Sequence, residues 1–331
     1  MRRRDFIKIV CGATVGASVH WLPAFAQQRA GIPTIGVLWH AGNADEEQPY
    51  FDALISGFRD LGYVEGRNIR FEHRFPNEIP ERFRQMAAEL VSLNVTAIVT
   101  VGNITAPYAK AATATIPIVF LFVADPVGLK LVDTLARPGG NITGQAQLGT
   151  DLSAKRFELL REVVPQLSRV ALLLNPAEPS AGTYLREGQA AAASLGLTVL
   201  PFELRSMEEM ASVFGRMAEA GVQALALGPG GLLFQGRSLL AKTAIARGIP
   251  TCGWSRETLV SGLLLSYGPD QVAMVRYTPT FVDKILRGAK PGEIPVEQPT
   301  RFQLVVNQKT AKALNINIPE SFLLRADEVI E

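Results

Sequence analysis

The sequence is poor in cysteine, histidine and charge. Its 331 residues include 2 Cys and 3 His, and 19% of them are charged. Two cysteines exclude a scaffold held together by several disulfides, and three histidines leave little material for a zinc cluster. The net charge of +2 gives no reason to expect a polyanion, so no nucleic-acid partner is predicted. Apolar residues are abundant at 47%, which argues against a disordered chain.

Sequence motifs of common enzymes and cofactor sites are also missing. Neither H-E-x-x-H nor C-x-x-C occurs. Residues 228–231 (GPGG) fit neither the dinucleotide-binding nor the P-loop pattern, and residues 253–257 (GWSRE) lack the last glycine of a nucleophile elbow. We therefore predict no enzyme activity, no metal site and no cofactor.

The first 26 residues have the pattern of an export signal. Arg2, Arg3 and Arg4 precede a short apolar stretch, and A-x-A follows at residues 24–26, as at a signal-peptide cleavage site. The paired arginines before FIK resemble a twin-arginine signal, which predicts export to the periplasm. The alternative is an uncleaved membrane anchor, although the apolar run is short for a bilayer span. This segment holds four basic residues and one acidic residue, so cleavage leaves 29 basic and 30 acidic groups and a net charge of −1.

From residue 32 onward, short apolar runs alternate with helical patterns, which is typical of parallel sheets covered by helices on both faces. The second half repeats the order of the first. Residues 109–117 (AKAATATIP) and residues 241–250 (AKTAIARGIP) share one layout, a helix end followed by Ile-Pro and a strand. We predict an α/β fold in which one kind of lobe is used twice, with a single long helix over residues 270–287.

Polar and aromatic residues collect where the predicted strands end, the edge at which open α/β sheets bind ligands. Several of these residues stand where a helix begins, so ordinary helix capping is the alternative. The aromatic ones could equally fill the core of their own lobe. The candidate ligand contacts are Trp39, Asn43, Asn103, Thr105, Asp125, Asn175, Ser180, Tyr184, Trp254 and Tyr267.

Three stretches carry a family resemblance. Residues 116–120 (IPIVF), 125–128 (DPVG) and 137–144 (RPGGNITG) resemble a block of a bacterial ABC-transporter substrate-binding family that includes tryptophan- and tyrosine-type importers. Further similar stretches are residues 172–176 (LLLNP), 266–268 (SYG), 284–288 (KILRG), 304–307 (LVVN) and 318–328 (IPESFLLRADE).

The resemblance implies a type I periplasmic-binding-protein fold, with two Rossmann-like lobes joined by a three-segment hinge. The first lobe would comprise residues 32–145 plus about 270–290, and the second residues 146–269 plus about 291–331. Such a protein would be the periplasmic receptor of an ABC importer and close on a small organic solute by hinge motion. The expected partners are this solute and a permease in the inner membrane, and a monomer is expected.

The sequence departs from the pattern of the resembled family at residues 228–231. Amino-acid-binding relatives usually carry an acidic residue there, which would pair with the ammonium group of the ligand. The Gly-Pro-Gly-Gly of this chain favours an organic acid or an aromatic compound over a free amino acid. Two other functions stay open: a ligand-sensing module for a membrane kinase or chemoreceptor and, less favoured, an exported α/β enzyme.

Overall fold

The structure, a computed structural model, describes residues 31–147 and 152–331. The export signal predicted over residues 1–26 lies outside the described residues. No helix in the described part of the chain has the length and apolar character needed to cross a lipid bilayer. Two sheets flanked by helices form two α/β lobes, which confirms the predicted fold class.

The first lobe is built on a five-stranded parallel sheet with the order β2-β1-β3-β4-β5. Strands β3 and β4 are buried along their whole length, because helices cover both faces of the sheet. The strands are β1 (Thr34–Leu38), β2 (Arg70–Arg74), β3 (Ala97–Val101), β4 (Ile118–Val123) and β5 (Ile142–Ala146). The helices between them are α1 (Tyr50–Asp60), α2 (Pro80–Ser92) and α3 (Thr105–Ala112).

The second lobe has a seven-stranded sheet with the order β12-β11-β10-β9-β8-β6-β7. Its strands are β6 (Arg169–Leu174), β7 (Thr198–Glu203), β8 (Ala224–Leu227), β9 (Thr251–Gly253), β10 (Leu265–Pro269), β11 (Phe302–Asn307) and β12 (Glu328–Ile330). Its helices are α4 (Ser153–Val163), α5 (Ala181–Ser194), α6 (Met210–Glu219), α7 (Gly231–Gln235), α8 (Arg237–Ala246), α9 (Arg256–Val260), α12 (Gln308–Ala313) and α13 (Glu320–Leu323).

Strand β11, a segment for which the apolar pattern predicted no strand, runs antiparallel to β10. The last residue of β10, Pro269, pairs with the first residue of β11, Phe302. The chain thus leaves the second lobe and re-enters it at the same edge of the sheet. A strand that starts where its neighbour ended must run in the opposite direction.

Helices α10 (Gln271–Tyr277) and α11 (Pro279–Leu286) occupy the region predicted as one helix. Pro279 divides it, since proline has no amide hydrogen to continue the helical hydrogen bonds. Both helices pack against α1 of the first lobe. At Gly57 the approach is so close that a Cβ atom would lie 2.0 Å from the carbonyl oxygen of Arg276. The first lobe therefore contains helices that follow the strands of the second lobe in sequence.

The three segments that connect the lobes are hydrogen-bonded to one another. The first crossing follows β5, the second leads from β10 to α10, and the third leads from α11 to β11. Gln145 Nε2 donates to the carbonyl oxygen of Met274 and to Thr278 Oγ1, at 2.8 and 2.9 Å. The amide of Ala146 donates to the carbonyl oxygen of Glu297 at 2.9 Å. These contacts join the crossings into one hinge region.

Candidate functional site between the lobes

A cavity of about 440 Å³, including its opening to solvent, lies between the two lobes. Loops at the carboxyl ends of strands from both lobes form its walls, which is the edge of the sheets where ligands were expected. The lining residues are His40, Tyr50, Gly102, Asn103, Phe122, Ala124, Gln147, Ser180, Tyr184, Pro229, Gly230, Gly231, Phe234, Trp254 and Gln271.

Aromatic rings from both lobes meet around this cavity. Tyr50 at the start of α1 stacks on Phe234 of α7, with ring centroids 5.1 Å apart and planes 23° from parallel. Phe122 lies 5.4 Å from Tyr50 on the first-lobe side. Tyr184 and Trp254 add buried rings from the second lobe. Because stacked and edge contacts between such rings favour flat partners, the walls suit a planar apolar group.

Phe122 reaches the cavity through an irregularity in its strand. Its φ angle is 64°, in the left-handed region that a bulky residue seldom adopts. The pairing of β4 with β5 shifts register between Leu121 and Val123, as at a β-bulge. Bulges of this kind redirect a side chain beside functional sites. Nothing local in the apolar run of β4 distinguishes Phe122 from its neighbours, and sequence reasoning missed it.

Asn103 connects the two lobes across the cleft. Its Oδ1 accepts a hydrogen bond from the amide of Ala124 at 3.1 Å within the first lobe. Its Nδ2 donates to Ser180 Oγ at 3.0 Å and to Glu178 Oε2 at 3.4 Å in the second lobe. The side chain makes no capping hydrogen bond to α3. Its role is therefore in the cleft rather than at the helix end.

Gln147, at the first crossing, presents a polar group to the cavity. The side chain lines the cavity and is 4% exposed, and its Nε2 has no hydrogen bond to any described residue. A buried donor left unpaired costs about 1–3 kcal/mol. A solute oxygen in the cavity would satisfy this donor.

A buried group of ionisable side chains lies beside the cavity in the first lobe. Glu47 Oε1 accepts hydrogen bonds from the amides of His40 and Ala41, at 3.0 and 2.8 Å. His40 Nε2 is 3.4 Å from Glu47 Oε2, and His40 Nδ1 is 3.1 Å from Glu78 Oε1. Burial by itself would lower the pKa of His40, but the charges of Glu47 and Glu78 outweigh it and raise the pKa to about 9. His40 is thus an imidazolium at neutral pH.

Glu178 brings a carboxylate to the glycine loop at residues 228–231. Its Oε1 accepts from the amide of Gly231 at 3.0 Å. Burial and, next, the charge of Glu78 raise the pKa of Glu178 to about 7. The acid that this loop lacks in sequence is supplied from the loop after β6.

Four of the ten predicted contact residues line the cavity: Asn103, Ser180, Tyr184 and Trp254. Trp39 instead fills the core of the first lobe. It is fully buried, stacks on Phe75 at 6.2 Å, and donates from Nε1 to His73 Nδ1 at 3.0 Å. Burial lowers the pKa of His73 to about 4, so the ring is neutral and able to accept this bond. The core-filling alternative holds for Trp39.

The other five predicted residues interact within their own lobe and are not among the cavity-lining residues. Four of them hydrogen-bond inside their own loop, and the fifth packs on a neighbouring strand. They are Asn43 with Glu46, Thr105 with the carbonyl of Gly102, Asp125 with the amide of Gly128, Asn175 with the amide of Ala177, and Tyr267 against Phe302. Turn-forming polar residues are common at strand ends, so position after a strand was too broad a criterion.

Several lining residues were missed because they lie on helices rather than directly after strands. Tyr50 is the first residue of α1, Phe234 lies in α7, and Gln271 is the first residue of α10. Gln271 Oε1 accepts from the hydroxyl of Tyr50 at 2.5 Å. A search that included the first residues of each helix after a strand would have found Tyr50 and Gln271.

The sequence matches the profile of a family described as ABC transporter substrate binding protein over residues 44–330. Among characterised proteins, it is similar to a tyrosine-binding protein of Clostridioides difficile. The two are 25% identical over 276 residues, which is 82% of this chain and 79% of that protein.

Solved structures show the same likeness. A conserved domain protein from Vibrio cholerae superposes with a TM-score of 0.85 at 27% identity, covering 90% of this chain and 100% of that one. An ABC domain from Streptococcus pneumoniae in complex with L-Trp superposes with a TM-score of 0.84 at 26% identity, covering 91% and 100%. The chain therefore belongs to the ABC transporter substrate-binding protein family and has the type I periplasmic-binding-protein fold.

Proposed function

We propose that this protein is the periplasmic receptor of an ABC importer and binds a small aromatic solute in the interlobe cleft. The observation that carries the proposal is the set of aromatic rings, contributed by both lobes, around one cavity. Hinge closure would enclose the solute between Tyr50 of the first lobe and Trp254 of the second.

An aromatic amino acid is the solute class that the polar groups favour. Glu178 lies behind the lining residues Asn103 and Gly231, to which it is hydrogen-bonded, and its negative charge would favour an ammonium group in the cavity. The unpaired Nε2 of Gln147 would donate to a carboxylate oxygen. The relatives named for tyrosine and crystallised with L-Trp support this class. An aromatic acid without an amine would use the rings and Gln147 but not Glu178.

The remaining parts of the proposal concern location and partner. The signal-like residues 1–26 support export and cleavage, so the working protein would be residues 27–331 in the periplasm. Its closed form would dock on an inner-membrane permease as a monomer. It would have no catalytic role, because a receptor must release its solute unchanged.

A thermal-shift screen of residues 27–331 tests the proposal. The panel holds aromatic amino acids, aromatic acids and dicarboxylates, and an aromatic amino acid is expected to raise the Tm by several degrees at saturating concentration. A solute at 100 times its Kd adds about 2.7 kcal/mol to the free energy of unfolding. No shift with any aromatic solute would overturn the proposal.

Tryptophan fluorescence supplies a matched pair of variants for that screen, with L-tyrosine as the solute and excitation at a wavelength that tryptophan absorbs and tyrosine does not. Trp254 lines the cavity, whereas Trp39 lies in the first-lobe core. Solute should change the emission of the Trp39→Phe variant, which keeps Trp254. It should leave the emission of Trp254→Phe nearly unchanged. The reverse result would place the solute elsewhere.

A further inference from the structure

A second set of contacts joins the lobes outside the cavity. Gln235, at the end of α7 in the second lobe, donates from Nε2 to Glu46 Oε2 at 2.9 Å and to Asn77 Oδ1 at 3.2 Å. Both acceptors belong to the first lobe. None of the three residues lines the interlobe cavity; they border a separate groove nearby. A solute in the cavity would therefore leave these contacts intact.

The first-lobe side of this contact is held in place without help from Gln235. The amide of Gly42 donates to Glu46 Oε2 at 2.9 Å, and Asn43 Nδ2 donates to Glu46 Oε1 at 2.7 Å. The amide of Glu46 in turn donates to Asn43 Oδ1 at 3.0 Å. Because the acceptor is already ordered, closure has to immobilise only Gln235, which keeps the entropic cost of the contact low.

We propose that Gln235, Glu46 and Asn77 form a clasp that holds the closed cleft and thereby sets how long a solute stays bound. The proposal rests on the proposed function, since it concerns closure around that solute. A hydrogen bond to a carboxylate is roughly twice as strong as one between neutral groups. The clasp forms only after the lobes meet, so it acts on the dissociation rate rather than on the encounter rate.

The clasp differs from the Asn103–Ser180 contact, which also spans the lobes. Asn103 and Ser180 line the cavity, so a change in either alters solute contacts and closure together. Because Gln235 does not line the cavity, a change there alters closure without altering solute contacts. In this sense Gln235 is a positioning residue that acts through the lobe arrangement and never touches the solute.

Stopped-flow binding of L-tryptophan to residues 27–331 tests the clasp. Gln235→Glu places a carboxylate against Glu46 and should raise the dissociation rate about tenfold, which corresponds to ~1.4 kcal/mol. The association rate should change less than twofold. Gln235→Lys keeps a donor for Glu46 and should stay within about threefold of the parent protein. The Tm of the ligand-free protein should be nearly the same in all three.

Gln85→Ala is the matched control. Gln85 Nε2 donates to Glu89 Oε1 at 2.9 Å, the same chemistry as the clasp but within helix α2. It should leave both rate constants unchanged. An unchanged dissociation rate in Gln235→Glu, or an equal rise in Gln85→Ala, would overturn the clasp.

Binding of L-tryptophan to the parent protein distinguishes a wrong solute assignment from a wrong clasp. If L-tryptophan does not bind the parent protein, that solute assignment fails, and closure is then measured without solute by small-angle X-ray scattering. The clasp predicts a larger radius of gyration for Gln235→Glu than for the parent and for Gln85→Ala. Identical scattering from all three would overturn the clasp.

Discussion

The two lobes bring opposite kinds of surface to the cleft. The first lobe presents a buried ionisable group, in which Glu47 holds His40 through backbone and side-chain contacts and Glu78 lies against the ring. The second lobe presents glycine backbone at residues 228–231 together with the aromatic side chains of Phe234 and Trp254. The first-lobe surface carries ionisable side chains held by hydrogen bonds, whereas the glycine backbone of the second lobe adds little bulk and approaches that surface closely.

This difference between the lobes explains why the glycine loop at residues 228–231 lies against the buried ionisable group of the first lobe. A Cβ atom on Gly231 would lie 1.8 Å from Glu78 Oε1 and 2.8 Å from His40 Nδ1. Only a residue without a side chain lets the second lobe come this close. The closed cleft therefore requires that the ionisable group of the first lobe stays in place and that residue 231 of the second lobe has no side chain.

The largest expected effect is on the first-lobe side. Glu47→Ala leaves His40 buried without its main partner and two amides without an acceptor, so the free energy of unfolding should fall by about 3–5 kcal/mol. Urea denaturation measures this. The control is Glu203→Ala, which removes an exposed pair with Arg205 and should cost about 1 kcal/mol or less. Equal losses in the two variants would contradict a structural role for the buried group.

On the second-lobe side, Gly231→Val should block closure while leaving each lobe folded. The added side chain would overlap Glu78 and His40, so affinity for an aromatic solute such as L-tryptophan should fall about 100-fold or more, ~2.7 kcal/mol. Isothermal titration calorimetry measures the affinity and circular dichroism the fold. Gly215→Ala in α6, where no atom lies within 4 Å of a new Cβ, should bind normally. Normal binding by Gly231→Val would mean that the cleft closes less tightly.

Glu178 is a carboxylate that the second lobe brings next to the charged group of the first lobe, close to Glu78, His40, Asn103 and the amide of Gly231. Its pKa is raised by burial from an ordinary 4.5 to about 7, so the folded state holds its proton more tightly than the unfolded state. The stabilisation is complete below pH 4.5 and is lost as the pH rises through 7.

Chemical denaturation of Glu178→Gln between pH 4 and 9 checks this sign. The variant should lack the loss between pH 4.5 and 7, a difference on the order of 3 kcal/mol. His40, whose raised pKa of about 9 causes a further loss between pH 6.5 and 9, should lose its proton at a somewhat lower pH in the variant, because the charge of Glu178 helps to raise that pKa. Parallel pH profiles would show that Glu178 is ionised throughout.

The smallest expected effect is at Asp125. Its Oδ1 accepts from the amide of Gly128 at 2.7 Å in an exposed turn, away from the cavity lining. Asp125→Ala should change solute affinity less than twofold, whereas Asn103→Ala, which loses the contact to Ser180, should weaken it about tenfold. Equal effects on the two affinities would return Asp125 to the list of solute contacts.

Sequence patterns predicted the strands and most helices because burial on both faces of a parallel sheet leaves continuous apolar runs. The runs at β3 and β4 are examples. Sequence patterns did not predict the direction of β11, because that direction follows from the point at which the chain re-enters the second lobe. The prediction of a single helix over residues 270–287 was wrong for a local reason, because Pro279 divides the segment into two helices. The apolar spacing of the sequence had favoured one helix.

The site was predicted less completely than the fold. Asn103, Ser180, Tyr184 and Trp254, which were selected by their position after strands, line the cavity. The same criterion selected Trp39, whose side chain points into the core, because a strand end determines where a residue sits and not which way its side chain turns. Tyr50 and Phe234 escaped it altogether.

The sequence by itself determined the two α/β lobes, the family and the edge of the sheets at which the cavity lies, since these depend on local apolar periodicity and short motifs. Only the tertiary structure decided how the cleft is composed. Gly231 and Glu178 are 53 residues apart, and Gln235 and Glu46 are 189 apart, yet each pair is hydrogen-bonded. Contacts of this kind are fixed by how the second lobe folds and by how the two lobes meet, and no local pattern in the chain encodes either.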